Sequence, residues 1–399
     1  MPGLVPGIHV LTDQKTEMAG TSPAMTMGQG PENAQGAAKK QGDDARRSSP
    51  QNGDPATHDS LLVRGYSLAM GAIDNTILPT AADIEAAAKR LAGVAVRTPL
   101  INAPVLDAAV GARVFLKAET LQRTGSFKFR GAYNKISSIP IERRAAGVVA
   151  YSSGNHAQGV AAAARLLGMR ATIVMPADAP KAKRERTLAL GAEVVPYDRN
   201  SEDRAAIAKT IVTERGATLV PPYDDPLIIA GQGTIGTELV EDLAQLSLKP
   251  EIVVVGASGG GLAAGISLGV KARVPSPKFY VVEPEGFDDT LRSFASGKRE
   301  ANARMSGTIC DALMSNTPGE LTFPINRELI GQGTTVSDAE VAQAVRYAFN
   351  ELKLVVEPGG AIGLAALLAG KLDVKGKTVV GILSGGNVDT DMFARLIAT

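Results

Sequence analysis

One cysteine, three histidines and no tryptophan occur in this chain, and each scarcity removes a class of function. A lone Cys310 cannot build an internal disulfide framework. With so few histidines beside it, little is left for a zinc cluster, and a reducing, cytoplasmic setting is expected. His9 and His58 fall in an N-terminal stretch without regular patterning, so His156 is the histidine left to the fold. No G-x-S-x-G turn precedes a helix, which argues against a serine-hydrolase triad. An excess of either charge is also missing. Lys plus Arg total 42 against 41 Asp plus Glu, so there is no broad basic field for nucleic acid or an anionic membrane, and any anion must be bound locally. No apolar run reaches the roughly 18 residues of a spanning helix. Met1 to Val10 lacks a basic start before its apolar stretch. Neither secretion nor membrane insertion is expected.

What is present is 399 residues, 44% of them hydrophobic, enough for a sizeable core and suited to two domains. Residues 1–69 are rich in Gly, Pro, Ser, Gln and Asn without a sustained period of 3.6 or 2. They read as a disordered extension, with Met70 as the start of the working chain. Order begins at T-A-A-D, a capping box with Thr80 as N-cap and Asp83 at the third helical position. Strands then alternate with helices. The β-branched runs Val148–Tyr151, Ala171–Met175, Ile252–Val255, Phe279–Val282 and Thr378–Leu383 each precede a polar or glycine turn and an alanine-rich helical segment. This rhythm predicts an α/β fold of parallel sheets covered by helices. In such sheets ligands bind outside the carboxyl ends of the strands.

Three strand-end turns and one lysine stand out. After Ile252–Val255 come Ser258, Gly259, Gly260 and Gly261, with a helix starting near Leu262. Bare amides at a helix start can surround a phosphate, although a plain tight turn needs the same residues, and the turn fits neither a P-loop nor a dinucleotide fingerprint. After Val148–Tyr151 come Ser152, Ser153, Gly154, Asn155 and His156, ahead of a helix expected over Ala157–Leu167. Their amides and hydroxyls can hold a carboxylate, and N-capping is the plainer role. After Thr378–Leu383 come Ser384, Gly385, Gly386 and Asn387, where two glycines admit a flat ligand or simply turn a corner. Lys128 lies between Phe127 and Phe129, with Ser126 placed to cap the following helix. An apolar pocket and a helix N-terminus both disfavour its ammonium form. Arg123, Arg130 and Lys135 nearby give the alternative of a solvated basic face. Together, a lysine at a helix start, a phosphate cup and two polar turns fit one cofactor carrying an aldehyde, a ring and a phosphate.

These motifs resemble the fold-type II pyridoxal-phosphate enzymes (tryptophan synthase β-like), within them the threonine dehydratase and serine racemase branch, from about Asp74 to the C-terminus. S-F-K-F-R-G-A is similar to the branch's lysine motif, S-S-G-N-H-A-Q-G to its substrate loop, and S-G-G-N to its pyridine-nitrogen contact. The resemblance implies that Lys128 forms the imine with the cofactor, Phe127 packs beside its ring and Asn155 binds its phenolic oxygen. Ser258, Gly259, Gly260, Gly261 and Leu262 would hold the phosphate, with Ser258 standing where the branch usually has a first glycine. Ser384 would face the pyridine nitrogen as a neutral partner, which favours elimination over transamination. Ser152 to His156 would bind the substrate carboxylate, and Ser153 matches the residue that acts on the opposite face of the α-carbon in racemases.

Glu283, Phe287 and Asp289 match a divalent-cation site of racemase-like members, whose oxygen ligands suit magnesium or calcium; a solvated acidic turn is the plainer alternative. The implied architecture is a large cofactor-binding domain of residues 70–146 and 225–399, with a small domain of residues 147–224 inserted. The implied activity is threonine/serine dehydration by α-proton removal and loss of hydroxide, giving a 2-oxo acid and ammonia, in a homodimer. Serine racemase and 3-hydroxyaspartate dehydratase are the enzymatic alternatives. A non-catalytic phosphate- or nucleotide-binding module is the alternative of another class. No C-terminal regulatory domain follows S-G-G-N, so control by isoleucine is not expected.

Overall fold

The computed structural model describes residues 78–152, 154–179, 181–198 and 201–398. The expected extension 1–69, and Ser153, lie outside the described residues. Ten strands run in chain order: β1 (Leu100–Asn102), β2 (Arg113–Ala118), β3 (Val148–Tyr151), β4 (Ala171–Pro176), β5 (Glu193–Tyr197), β6 (Thr218–Leu219), β7 (Ile252–Gly256), β8 (Lys278–Pro284), β9 (Gly333–Val336) and β10 (Thr378–Leu383). They form a six-stranded sheet of order β1-β2-β10-β7-β8-β9 and a four-stranded sheet of order β5-β4-β3-β6. All five expected strands are present and all their pairings are parallel. The exception to a purely parallel sheet is the short edge strand β1, antiparallel to β2. In β10 and β4 every residue is buried, because helices cover both faces of a parallel sheet and leave no face for polar alternation.

The capping box predicted at Thr80 and Asp83 is formed, and it opens the helix Ala81–Leu91. Two other helix starts differ from expectation. The helix after β3 begins at Asn155, with Gly154 as its N-cap and no side-chain cap bond, so Asn155 and His156 belong to its first turn. The lysine helix spans Lys128–Ser137 with Phe127 as N-cap, again without a side-chain cap. Ser126 therefore does not cap it. Its backbone is drawn instead into a bridge with Gly385, and its buried hydroxyl has no partner.

Helix Pro226–Gln245 carries the site between its neighbours. Against helix Lys128–Ser137, a Cβ built on Gly231 would lie 2.6 Å from the Cα of Gly131; against helix Gly261–Lys271, one on Gly265 would lie 2.4 Å from the carbonyl of Ile229. Both seams are backbone against backbone, which only glycine permits. Arg130 on the lysine helix is fully buried, forked to both oxygens of Glu119 (2.9 and 2.8 Å) and both of Glu238 (2.6 and 2.9 Å). Lys117, also buried, joins Glu238 at 2.8 Å. The solvated basic face considered for Lys128 and its neighbours is thus not formed. Arg130 is internal, and Lys135 pairs with Asp225 at 2.7 Å. Among the described residues no helix is long and apolar enough to cross a membrane.

Candidate active site

The parallel strands bring their carboxyl ends together, and the turns after β3, β7 and β10 meet the start of the lysine helix around one cavity. Phe127, Lys128 and Ser384 line it, as do Ser152, Gly154, Asn155 and His156 from one turn and Ser258 to Leu262 from another. The sequence-predicted residues are thus assembled in one place, apart from Ser153, which lies outside the described residues, and Glu283, Phe287 and Asp289.

Lys128 is partly exposed where it lines the cavity. Its Nζ donates to the carbonyl of Pro222 at 2.6 Å and lies 5.1 Å from the centre of the Phe127 ring. Burial of the amine lowers its pKa from 10.5 to about 8, against the opposing charge of Glu357. At pH 7 about a tenth of such an amine is neutral, against less than about one part in a thousand for an ordinary lysine. A neutral lysine is a nucleophile and a base.

The glycine turn after β7 is packed from outside. A Cβ on Gly259 would lie 2.3 Å from the Tyr223 ring, and Gly260 has φ +92°. The carbonyl of Gly259 accepts from Thr322 Oγ1 at 2.6 Å, and that of Gly260 from Asn326 Nδ2 at 3.0 Å. With these carbonyls anchored, the amides at the start of helix Gly261–Lys271 lack intrahelical acceptors and form a ready anion cradle. The departure at Ser258 has a local use. Its hydroxyl accepts from the backbone of Ser315 at 3.0 Å, tying a neighbouring loop to the turn.

In the turn after β3, the Ser152 hydroxyl accepts from Gly154 N at 3.2 Å. His156 is buried, with Nε2 2.8 Å from the Val220 carbonyl. Burial, with the Lys128 charge adding to it, pushes its pKa down to about 3. The ring is neutral and donates to that carbonyl, so it is a strut and not an acid–base group. The turn after β10 is sewn to the segment before Lys128. Phe127 N donates to the Ser384 carbonyl (3.1 Å), and Gly386 N to that of Gly125 (2.9 Å).

Several cavity residues escaped the sequence reading: Tyr151, Lys183, Arg204, Tyr223, Asp311 and Glu357. Lys183 forms a close ion pair with Asp311. Arg204 stacks over Tyr151, 5.4 Å from the ring centre, and has no ion-pair partner among the described residues. Isolated charges on polar helices carry no local signal. The one available cue was the E-P-G-G sequence at 357–360, an acid at a helix start.

Away from the cavity, Glu283 is buried and accepts from the backbones of Thr290 (3.0 Å) and Leu291 (2.9 Å). Asp289 Oδ1 accepts from Asn302 at 2.6 Å, whereas its buried Oδ2 has no hydrogen-bond partner among the described residues. Burial, then the Asp289 charge, pushes Glu283 up to about 8; burial pushes Asp289 up to about 7. The solvated acidic turn is not what forms. Thr290 Oγ1 lies 3.5 Å from the Ser258 carbonyl, which links this pair to the glycine turn. Among the described residues no group of three or more His, Cys, Asp or Glu is arranged to hold a metal, so a cation here would need backbone and water oxygens as well.

A family signature described as "Pyridoxal-phosphate dependent enzyme" matches residues 91–385. The chain belongs to this family. It is 48% identical over 315 residues to an L-threo-3-hydroxyaspartate ammonia-lyase of Pseudomonas sp, covering 79% of this chain and 97% of the relative. It is 43% identical over 320 residues to an L-threonine ammonia-lyase of Thermotoga maritima, covering 80% and 78%. The solved structure of a threonine deaminase from T.th. matches with a TM-score of 0.74 and 42% identity, over 78% of this chain and 99% of that one. The chain is a pyridoxal-phosphate-dependent lyase of fold type II. The cavity suits the cofactor's chemistry: a lysine amine of lowered pKa for its aldehyde, a carbonyl-anchored glycine turn for its phosphate, and a neutral Ser384 on the wall.

Proposed function

We propose that the chain is an ammonia-lyase for a small β-hydroxy amino acid, with Lys128 as both cofactor anchor and base. The observation that carries this is the Lys128 amine, enclosed and depressed to about 8, among three turns that can bind a phosphate, a ring and a carboxylate. Bound pyridoxal phosphate supplies the electron sink for the Cα–H bonding electrons. Ser258 to Leu262 would hold its phosphate, Phe127 would pack beside the ring, and Asn155 and Ser384 would serve the ring oxygen and the ring nitrogen. The Lys128 amine would remove the α-proton, while the turn of Ser152, Gly154, Asn155 and His156 would hold the α-carboxylate through its helix-start amides and the Ser152 hydroxyl, the Ser152 amide being taken by the Val174 carbonyl at 3.1 Å. Ser153, outside the described residues, keeps the role that the resemblance implies for it. The β-hydroxyl would take up a proton and depart as water, and the released enamine would be hydrolysed by a water molecule to a 2-oxo acid and ammonia. In this reading residues 147–224 act as the small domain and 70–146 with 225–399 as the large one. The protein works as a homodimer in the cytoplasm, a setting consistent with its fully buried single thiol.

L-Threonine and L-serine are the substrates expected from the sequence. L-threo-3-hydroxyaspartate gains support from Arg204, because a cation on the cavity wall without an ion-pair partner among the described residues matches a second carboxylate. The Pseudomonas and Saccharomyces cerevisiae relatives at 48% and 42% identity bear that substrate in their names. Steady-state measurements of 2-oxo acid release on the three amino acids test this. Arg204→Ala is expected to lower kcat/KM for 3-hydroxyaspartate by roughly tenfold to a hundredfold, the size of one hydrogen bond to a charged group, and to leave threonine within about threefold. Equal losses on both would remove the argument for the diacid. Absence of 2-oxo acid from all three would remove the ammonia-lyase reading.

The Glu283, Phe287 and Asp289 site suits magnesium or calcium, since the unpartnered Asp289 oxygen and two buried carboxylates lack a compensating charge. Millimolar Ca2+ or Mg2+ is expected to raise the thermal midpoint, and Asp289→Asn to abolish the rise. An unchanged midpoint in the wild-type protein would show that the pair takes no cation.

A further inference from the structure

Asn155 lines the cavity beside Lys128, and its side-chain amide is gripped at both ends. Its Oδ1 accepts from Asn387 Nδ2 at 2.7 Å, and its Nδ2 donates to Glu357 Oε1 at 2.6 Å. Asn387 is itself fixed. Its Nδ2 also donates to the Thr124 carbonyl at 2.7 Å, and its Oδ1 accepts from Arg186 Nη1 at 3.1 Å. The run from Arg186 through Asn387 and Asn155 to Glu357 therefore has every donor pointing one way, from a cation to a carboxylate. Turning over either amide would set oxygen against oxygen and nitrogen against nitrogen. One Nδ2 hydrogen of Asn155 is left for the contents of the cavity.

Glu357 is placed for this task, and its charge also bears on Lys128. It stands at the N-cap of helix Pro358–Leu368, yet makes no side-chain cap bond to that helix. Its residue is 3% exposed. The turn after β10 leaves it room, since a Cβ on Gly385 would lie 2.1 Å from Glu357 Oε1. Gly385 also accepts from Glu357 N at 3.1 Å.

We propose that Glu357 is a positioning residue that, by accepting from Asn155, fixes the amide so that its nitrogen and not its oxygen faces an anionic oxygen on the cofactor ring. The inference rests on the reading of this cavity as the pyridoxal-phosphate site. As a positioning residue Glu357 acts through Asn155, so losing both should cost no more than losing Asn155, while its charge on Lys128 is removed separately by Glu357→Gln, which keeps the acceptor.

The test is a titration of apoprotein with pyridoxal phosphate, followed by the visible band, for wild type, Glu357→Gln, Glu357→Ala, Asn155→Ala and the double alanine variant. Gln keeps an acceptor oxygen and is expected to bind within about threefold of wild type, whereas Glu357→Ala weakens binding roughly tenfold and displaces the band. The double variant should bind no more weakly than Asn155→Ala. Losses that multiply in the double variant, or a Glu357→Ala protein with wild-type affinity and spectrum, overturn the proposal. If circular dichroism shows Glu357→Ala unfolded, Glu357→Leu fills the same space without an acceptor; a displaced band supports the proposal and an unmoved band overturns it. A wild-type protein that develops no visible band overturns the cofactor reading of this cavity and the role of Glu357 with it.

Discussion

Lys128→Ala is expected to yield a folded protein that develops no imine band with pyridoxal phosphate, retains no label after borohydride, and releases 2-oxo acid at least about ten-thousandfold more slowly than wild type. The size follows from asking one amine for two services. In the proposed function it both tethers the cofactor covalently and removes the α-proton. The wild-type apoprotein carries a matching pH signature. Capture of the aldehyde requires the neutral amine, which is scarce well below the pKa of about 8. The rate of band formation should therefore rise with pH and level off above about 8, where an ordinary lysine of pKa 10.5 would still be climbing. A rate that keeps rising to pH 10 would mean the amine is not enclosed as described. A retained label in Lys128→Ala would place the chemistry on another residue.

Arg130→Ala is expected to cost about 3–5 kcal/mol of stability, measured by denaturant unfolding, because it strands Glu119 and Glu238 without their common cation. Glu119 is fully buried and accepts from Thr98 Oγ1 in addition to Arg130, so water has little access to compensate. Arg130→Lys should recover only part of the loss, since an ammonium's three donors cannot meet both oxygens of each carboxylate as the guanidinium does. The pH dependence has a fixed sign. Burial alone would raise Glu238, but Arg130 and Lys117 hold it below its ordinary 4.5. A depressed carboxylate stabilises the fold above its unfolded pKa, and that contribution disappears as pH falls through the folded value. Acid sensitivity below about pH 4.5 should accordingly be weaker in Arg130→Ala than in wild type. A loss under about 1 kcal/mol would show that the pocket relaxes to admit water.

The strands and the three turns were legible because each has a local cause: a continuous apolar run marks a strand buried on both faces, and a glycine or serine cluster marks a turn at its end. Lys128 stood out only in the company of those turns. What could not be read were single residues whose meaning depends on another part of the chain. Glu357 is an unremarked acid before a proline until Asn155, 202 positions away, is seen against it. Arg204 and Lys183 look like solvated charges on polar helices until the packing turns them toward the cavity. Arg130 reads in sequence as one of a basic cluster, because its partners Glu119 and Glu238 lie 11 and 108 positions away and meet it only in the folded interior. Ser126 fitted the capping pattern, but pairing of its backbone with Gly385 took precedence over a local hydroxyl bond.

The glycine seams on either side of helix Pro226–Gln245 set a length. The proposed anchor for the aldehyde rides on one flanking helix and the proposed phosphate cradle on the other, and both lean on a shared rod through main-chain contacts, with Gln232 reaching across to Gly131 N at 3.1 Å. Rotamer changes therefore have little to act on where the backbones touch, and the span between the two grips is set by how closely the main chains pack. A single methyl at Gly231 or Gly265 would lengthen that ruler without touching the cavity wall, leaving a pocket whose every functional group survives but whose two grips no longer match one molecule.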